Sequence, residues 1–172
     1  MTTTEMAGAG VVAWWKGGRG EWYVAIQAAL FLLIAFGPAT ASWLPAWTAG
    51  ATRVSSPIAQ VLLVGGLLWV AAGGVQLAFA RSLSALPHPK DGATLIDTGA
   101  FALARHPMYC GAIWAALGWA LHTQGLLTLA YAAALTVFFD VKASREERWL
   151  ASTFSGYDAY QARVRKLIPF VY

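Results

Sequence analysis

Residues 106–139 read HPMYCGAIWAALGWALHTQGLLTLAYAAALTVFF and hold no Asp, Glu, Lys or Arg. A membrane-crossing helix needs ~20 mostly apolar residues, within a range of ~17–25. This run is too long for one span, and His122-Thr123-Gln124-Gly125 interrupts it. It therefore predicts two short helices, over 107–121 and 126–139, joined by a tight turn. At 1.5 Å per residue each apolar arm reaches only ~21–23 Å, below a hydrocarbon core of ~30 Å. The hairpin must thin the bilayer or continue past its apolar limits. Its second helix can continue, because Asp140-Val141-Lys142-Ala143-Ser144-Arg145-Glu146-Glu147 has no helix breaker.

Working outward, residues 22–52 and 54–80 are also free of charge. The second of these runs predicts a helix over 57–80. The first predicts a helix over 22–36, stopped by Gly37-Pro38. An interfacial loop follows, because the indoles of Trp43 and Trp47 favour the headgroup layer. Lys16, Arg19, the apolar stretch and Ala39-Thr40-Ala41 also imitate a signal peptide with its cleavage site, a competing reading of the first helix. The expected fold is all-α: an integral membrane helical bundle of about four transmembrane helices, with a C-terminal helical hairpin and a cytoplasmic amphipathic tail. Residues 1–172 form one membrane domain, with helices one and two in 1–80 and the loop, hairpin and tail in 81–172.

Composition agrees. Of the 172 residues, 58% are hydrophobic and only 12% charged, against ~25% charged in soluble domains. That argues against a soluble enzyme, a disordered tail or a nucleic-acid module. The net charge of +4 does not imply nucleic acid, because topology accounts for it. With four spans and a cytoplasmic N-terminus, Lys16, Arg19, Arg81, Lys90, Arg105, Lys142, Arg145, Arg148, Arg163, Arg165 and Lys166 lie inside and only Arg53 outside. The expected location is a bacterial plasma membrane with both termini cytoplasmic and the basic residues against lipid headgroups. The single Cys110 excludes an internal disulfide and any multi-cysteine metal site. His88, His106, His122 and Cys110 do not share a register for ligation, so no metal is expected. Gly65, Gly66, Gly73 and Gly74 in helix two, with Gly111, Ala115 and Ala116 in helix three, supply small surfaces for close helix packing.

The polar segments carry the chemistry. In Arg105-His106-Pro107-x-Tyr109, Pro107 suits the first position of a helix, with His106 at the cap. The N–H groups of Met108, Tyr109 and Cys110 then face the cytoplasmic interface beside Arg105, an arrangement that attracts a carboxylate or phosphate. The competing reading has Arg105 reaching headgroups while His106 caps a helix. Glu146 and Glu147 project about 100° apart on a helix. One can bind cofactor hydroxyls or an ammonium while the other pairs with Arg145, Arg148 or Arg105; equally, both can form a solvated salt-bridged face. Tyr157 and Tyr160 are either a packing stripe or a wall for an aromatic ring.

Gly99-Ala100-Phe101-x-x-x-Arg105-His106-Pro107-Met108-Tyr109-x-Gly111, then a hairpin, then Glu146-Glu147-x-x-Leu150-x-x-x-Phe154-x-x-Tyr157-x-x-Tyr160 resembles the isoprenylcysteine carboxyl methyltransferase family. The phospholipid N-methyltransferases look similar. The resemblance implies a membrane methyltransferase using S-adenosyl-L-methionine in a cytoplasmic pocket formed by the hairpin and tail. It implies cofactor binding by Gly99, Arg105, His106, Pro107, Tyr109, Glu146 and Glu147, with Arg105, Glu146 and Glu147 catalytic. The implied partners are the lipid bilayer and a lipophilic small-molecule or prenylated acceptor, with no nucleic acid or metal. Phe101-Ala102-Leu103-Ala104 departs from the aromatic and basic residues usual before the arginine in this family, so contacts made there by relatives do not carry over. Pro87-His88-Pro89 resembles a stretch of some bacterial members, with His88 a pocket residue or a loop histidine.

No side chain stands out as a dedicated base, which favours a carboxylate or thiol acceptor over an amine. The gap between the short hairpin helices and helix two is the expected entry for lipid. Two alternatives remain: an NADPH-dependent reductase on the related sterol-reductase scaffold, whose motif places a polar residue beside the tyrosine where Pro107-Met108 stands here, and a non-catalytic membrane protein.

Overall fold

The computed structural model of the chain describes residues 21–80 and 95–172. Lys16, Arg19, Arg81, Pro87-His88-Pro89 and Lys90 lie outside the described residues. Within them the fold is all-α. α1 spans Glu21–Phe36, α2 Ala49–Phe79, α3 Pro107–His122, α4 Leu126–Thr153 and α5 Tyr157–Arg163, with a 3-10 turn at Gly99–Ala102 ahead of α3.

α1 ends where expected, with the Gly37 N–H donating to Leu33 O at 2.9 Å just before Pro38. α2 corrects the sequence reading, because it begins at Ala49 rather than at Pro57, which lies inside it. The charge-free run marked the apolar part of this helix and missed its start. The start is fixed by Thr48, whose hydroxyl accepts from the Ala51 N–H at 3.2 Å, and Arg53 is exposed and so costs the helix nothing. The hairpin follows the expectation, with Pro107 in the first turn of α3. Gln124 takes a positive φ of 51° in the turn, and Thr123 closes α3 by donating to Trp119 O at 3.0 Å. α4 then runs unbroken for 28 residues, about 42 Å, well past its apolar part.

α2 and α4 are long and apolar enough to cross a membrane. α1 and α3, at 16 residues each, reach about 24 Å, short of a ~30 Å core. The outer surface suits hydrocarbon: Ile58, Val61, Val64, Leu67, Leu68 and Val75 of α2 are all exposed, a patch too large for a water-facing monomer.

Glycines set the α2–α3 contact. A Cβ on Gly66 would stand 2.5 Å from Gly111 O and from Ala115 N, and one on Gly111 would stand 2.6 Å from Gly66 O. The two backbones therefore touch, as small residues permit. Gly73 sits against Pro107 and Met108 in the same seam. Gly65 faces open space, and Ala116 turns into the core with Ile34, Ile113, Ala132, Leu135, Phe139 and Leu167. This seam closes α2 directly on α3. A second apolar cluster joins Tyr157, Tyr160 and Val164 to Leu95, Leu150 and Phe154, seating α5 on the end of α4.

Candidate active site

The tail builds the site by docking on the start of α3. The N–H groups of Arg105 and His106 donate to the carbonyls of Arg165 and Lys166 at 2.8 and 3.0 Å. Lys166 then anchors the tail to α4, its Nζ 2.5 Å from Asp140 Oδ1 and 2.6 Å from Ser144 Oγ. The Tyr172 hydroxyl donates to the same Asp140 oxygen at 2.9 Å.

Beneath this clamp the predicted residues meet. Arg105 Nε donates to Glu147 Oε1 at 2.7 Å, and His106 Nε2 lies 3.1 Å from the same oxygen. Arg105 Nη1 donates to Gln161 O at 3.2 Å and to Val164 O. Glu146 Oε2 accepts from the Tyr109 hydroxyl at 2.9 Å and lies 3.7 Å from His106 Nδ1. Neighbouring carboxylates on a helix diverge, but here one imidazole presents a ring nitrogen to each. Tyr109 stacks nearly parallel with His106 and with Phe139, at ring-centroid distances of 5.4 and 4.5 Å.

Several sequence readings change in detail. His106 occupies the cap position, yet its side chain makes no capping bond because the ring is committed to the two carboxylates. The Cys110 N–H is bonded to His106 O at 3.0 Å, so it does not face outward for an anion. Arg145 does not pair with the acids; its guanidinium lies 5.1 Å from the Trp149 ring and 5.9 Å from that of Tyr23. Arg148 is exposed. Lys142 is not a headgroup contact: it is 1% exposed, with Nζ 2.6 Å from Gln27 Oε1 of α1 and 5.1 Å from the Tyr109 ring centre. Among the described residues no group of His, Cys, Asp and Glu is arranged to hold a metal ion.

Gly99 serves as a turn residue. Its φ of +58° needs no Cβ, and a Cβ there would stand 2.5 Å from Gln76 Nε2. Gln76 of α2 pins the turn by donating to Thr98 O at 2.7 Å and accepting from the Ala100 N–H at 3.1 Å. Gln76, Gln161 and the Asp140–Lys166 pair are the supporting residues that sequence reasoning missed. Only the position of Gln161, four residues after Tyr157 on one helix face, was a usable signal.

Electrostatics centre on Glu147, which lies beyond the apolar part of α4. Burial alone would push its carboxyl up; the hydrogen bonds and positive charges of His106 and Arg105 outweigh burial and hold it at about 2, below its ordinary 4.5. In α5, burial and then the nearby Glu147 carboxylate push the Tyr157 phenol far above its usual range. Between α3, α4 and the tail lies a cavity of about 450 Å³, apolar along Cys110, Ile113, Trp114, Leu117 and Ile168 and polar at Asp140 and Tyr172.

Fold and site together define an all-α bundle with two helices long and apolar enough to cross a membrane, whose buried ionic network gathers where a helical hairpin meets a folded-back tail. The chain belongs to the 3-oxo-5-alpha-steroid 4-dehydrogenase family, whose model matches residues 23–172. It is also similar to the protein-S-isoprenylcysteine O-methyltransferase of Schizosaccharomyces pombe, 36% identical over 83 residues, covering 45% of this chain and 34% of that protein. The protein of the same name from Saccharomyces cerevisiae is 35% identical over 83 residues, covering 45% and 33%. The match thus spans about a third of the length of these two relatives. The resemblance to isoprenylcysteine methyltransferases, drawn above from the motifs alone, is borne out by both.

Proposed function

We propose that this chain is an integral membrane methyltransferase that uses S-adenosyl-L-methionine to methylate a lipophilic acceptor. The observation that carries the reading is the convergence of Arg105, His106, Tyr109, Glu146 and Glu147 into one network at the hairpin–tail junction, in a chain similar to named methyltransferases. The donor set fits the cofactor. Arg105 suits its carboxylate, Glu146 and Glu147 suit an ammonium or ribose hydroxyls, and Tyr109 in its aromatic row offers a flat π-face to a ring or a cation. Gly99 and Pro107 shape the backbone on either side of Arg105. When bound, the cofactor supplies a methyl group activated on a sulfonium.

The protein's own work is then orientation and exclusion of water. The side chains of Arg105, His106 and Glu147 are 9%, 5% and 10% exposed. Holding reactants in line is worth ~7–11 kcal/mol in well-oriented systems. Both nitrogens of His106 face carboxylates, and Tyr109 already donates to Glu146. Among the described residues of the network no side chain is left as a dedicated base, so a carboxylate or thiol acceptor fits better than an amine. The apolar cavity beside α3 and α4 suits the acceptor's chain, in place of the closed α2–α3 seam. Four spans with both termini in the cytoplasm of a plasma membrane complete the proposal, because most Lys and Arg residues then lie inside.

Calorimetry of the detergent-purified protein with S-adenosyl-L-methionine, followed by labelled-methyl transfer on membranes and identification of the lipid-soluble product, tests the proposal. Arg105→Ala and Glu146→Ala should abolish cofactor binding or turnover while the protein remains folded; unchanged affinity and turnover in both overturns this site. The family's description favours a second reading, an NADPH-dependent reductase. A fluorescence titration that shows NADPH binding without S-adenosyl-L-methionine binding would select it.

A further inference from the structure

Tyr157 opens α5 with a hydroxyl that the fold does not use. The residue is 1% exposed, and its oxygen is buried without a hydrogen-bond partner. Tyr160, one turn on and equally buried, spends its hydroxyl on Phe101 O at 2.7 Å. Burying a polar group unpaired is costly, and such groups in folded proteins call for an explanation.

The position of Tyr157 supplies one. Residues 157 and 161 share one face of α5, and the C-terminal end of that helix closes over the ionic network. The carbonyls of Gln161 and Val164 accept from Arg105 Nη1, and Gln161 Nε2 lies 3.4 Å from Glu147 Oε2. The phenol lies within electrostatic reach of both Glu147 and Arg105. It keeps its proton there, and so serves as a donor to a group that accepts.

We propose that Tyr157 is a ligand-binding residue, whose hydroxyl donates to the carboxylate of the cofactor held beside Arg105. The inference rests on the methyltransferase reading above and adds a residue to that site. A carboxylate is acceptor-only, it satisfies an orphaned donor, and a neighbouring guanidinium complements its charge.

Tyr157→Phe removes the oxygen and little else. Two measurements on the full-length protein in detergent test the inference: thermal unfolding without cofactor, and calorimetric affinity for S-adenosyl-L-methionine and for its decarboxylated analogue. The variant should melt at or above the wild-type temperature, because an unpaired buried hydroxyl is gone. It should bind S-adenosyl-L-methionine about tenfold more weakly, the size of one hydrogen bond to a charged group, while both proteins bind the decarboxylated analogue alike. Wild-type affinity for S-adenosyl-L-methionine in Tyr157→Phe overturns this inference alone, as does an equal loss for both ligands. A lower melting temperature without cofactor overturns it too, since the hydroxyl would then have a structural partner. If the wild type binds no S-adenosyl-L-methionine, the methyltransferase reading itself fails.

Discussion

Glu147→Gln separates charge from contact at the centre of the site. Gln keeps an oxygen for Arg105 Nε, which Glu147 Oε1 meets at 2.7 Å, but it removes the negative charge that faces Arg105 and His106. A carboxyl held at about 2 against an ordinary 4.5, discounted for the solvent that still screens it, corresponds to roughly 1–2 kcal/mol of stability. In a chain of this size that is about 2–8 °C of melting temperature. The sign follows from the direction of the shift: a depressed carboxyl stabilises the fold above its unfolded value and loses that contribution as pH falls toward its folded one. At pH 7 the variant should therefore melt well below the wild type in detergent, followed by intrinsic fluorescence of the nine tryptophans. The gap between them should narrow as pH falls from about 4.5 to about 2, because protonation removes from the wild type what the substitution already removed. Comparison with the variant cancels the titration of the acids remote from Glu147. Equal melting temperatures at pH 7, or a gap that stays constant down to pH 2, would refute the account of Arg105 and His106 as charge partners of Glu147.

Two further substitutions test the scaffold that positions the site. Gly66→Ala brings a Cβ within 2.5 Å of the α3 backbone and should cost ~1–3 kcal/mol by forcing α2 and α3 apart, whereas Gly65→Ala faces open space and should melt like the wild type; equal behaviour of the pair would contradict the seam. Gln76→Ala removes three hydrogen bonds to the turn at 98–100, net ~1–3 kcal/mol. Hydrogen exchange read by mass spectrometry should quicken over 98–104, and unchanged protection there would show that Gln76 does not hold the turn.

The features legible in the sequence are those set by local rules. Pro107 marks the first turn of α3, Gly37-Pro38 stops α1, and the breaker-free 140–147 lets α4 run on, each decided by neighbours in the chain. The start of α2 escapes the charge-free run for an equally local reason: Arg53 is exposed on that helix and so tolerated, and the hydroxyl cap stands upstream of it at Thr48. The composition of the site was legible as a motif and its wiring was not. Nothing local tells Glu147 to take Arg105 and His106 while Glu146 takes Tyr109; that division depends on where residues 165–166 lie against 105–106, a contact across about sixty positions. Gln76 and Gln161 were missed for the same reason, since an ordinary glutamine acquires a role only from what the fold sets opposite it.

The same long-range contacts revise what the basic residues mean. Counted along the chain, they looked like one population facing lipid headgroups. In the fold Arg105, Lys142 and Lys166 are turned inward, to Glu147, to Gln27 and to Asp140, and Arg163 pairs with Asp97 at the surface at 2.9 Å. Fewer cations are then left to read the membrane, yet Arg53 still stands apart from all of them beyond the apolar stretch of α2. The inward three share a geometry: each ties a different element, tail, hairpin or α1, to the C-terminal half of α4. A charge taken out of water is costly unless it is paired, so these three stabilise one docking of the elements and penalise others. The cations that first suggested only an orientation thus hold α4 in the register at which Glu146 and Glu147 meet His106.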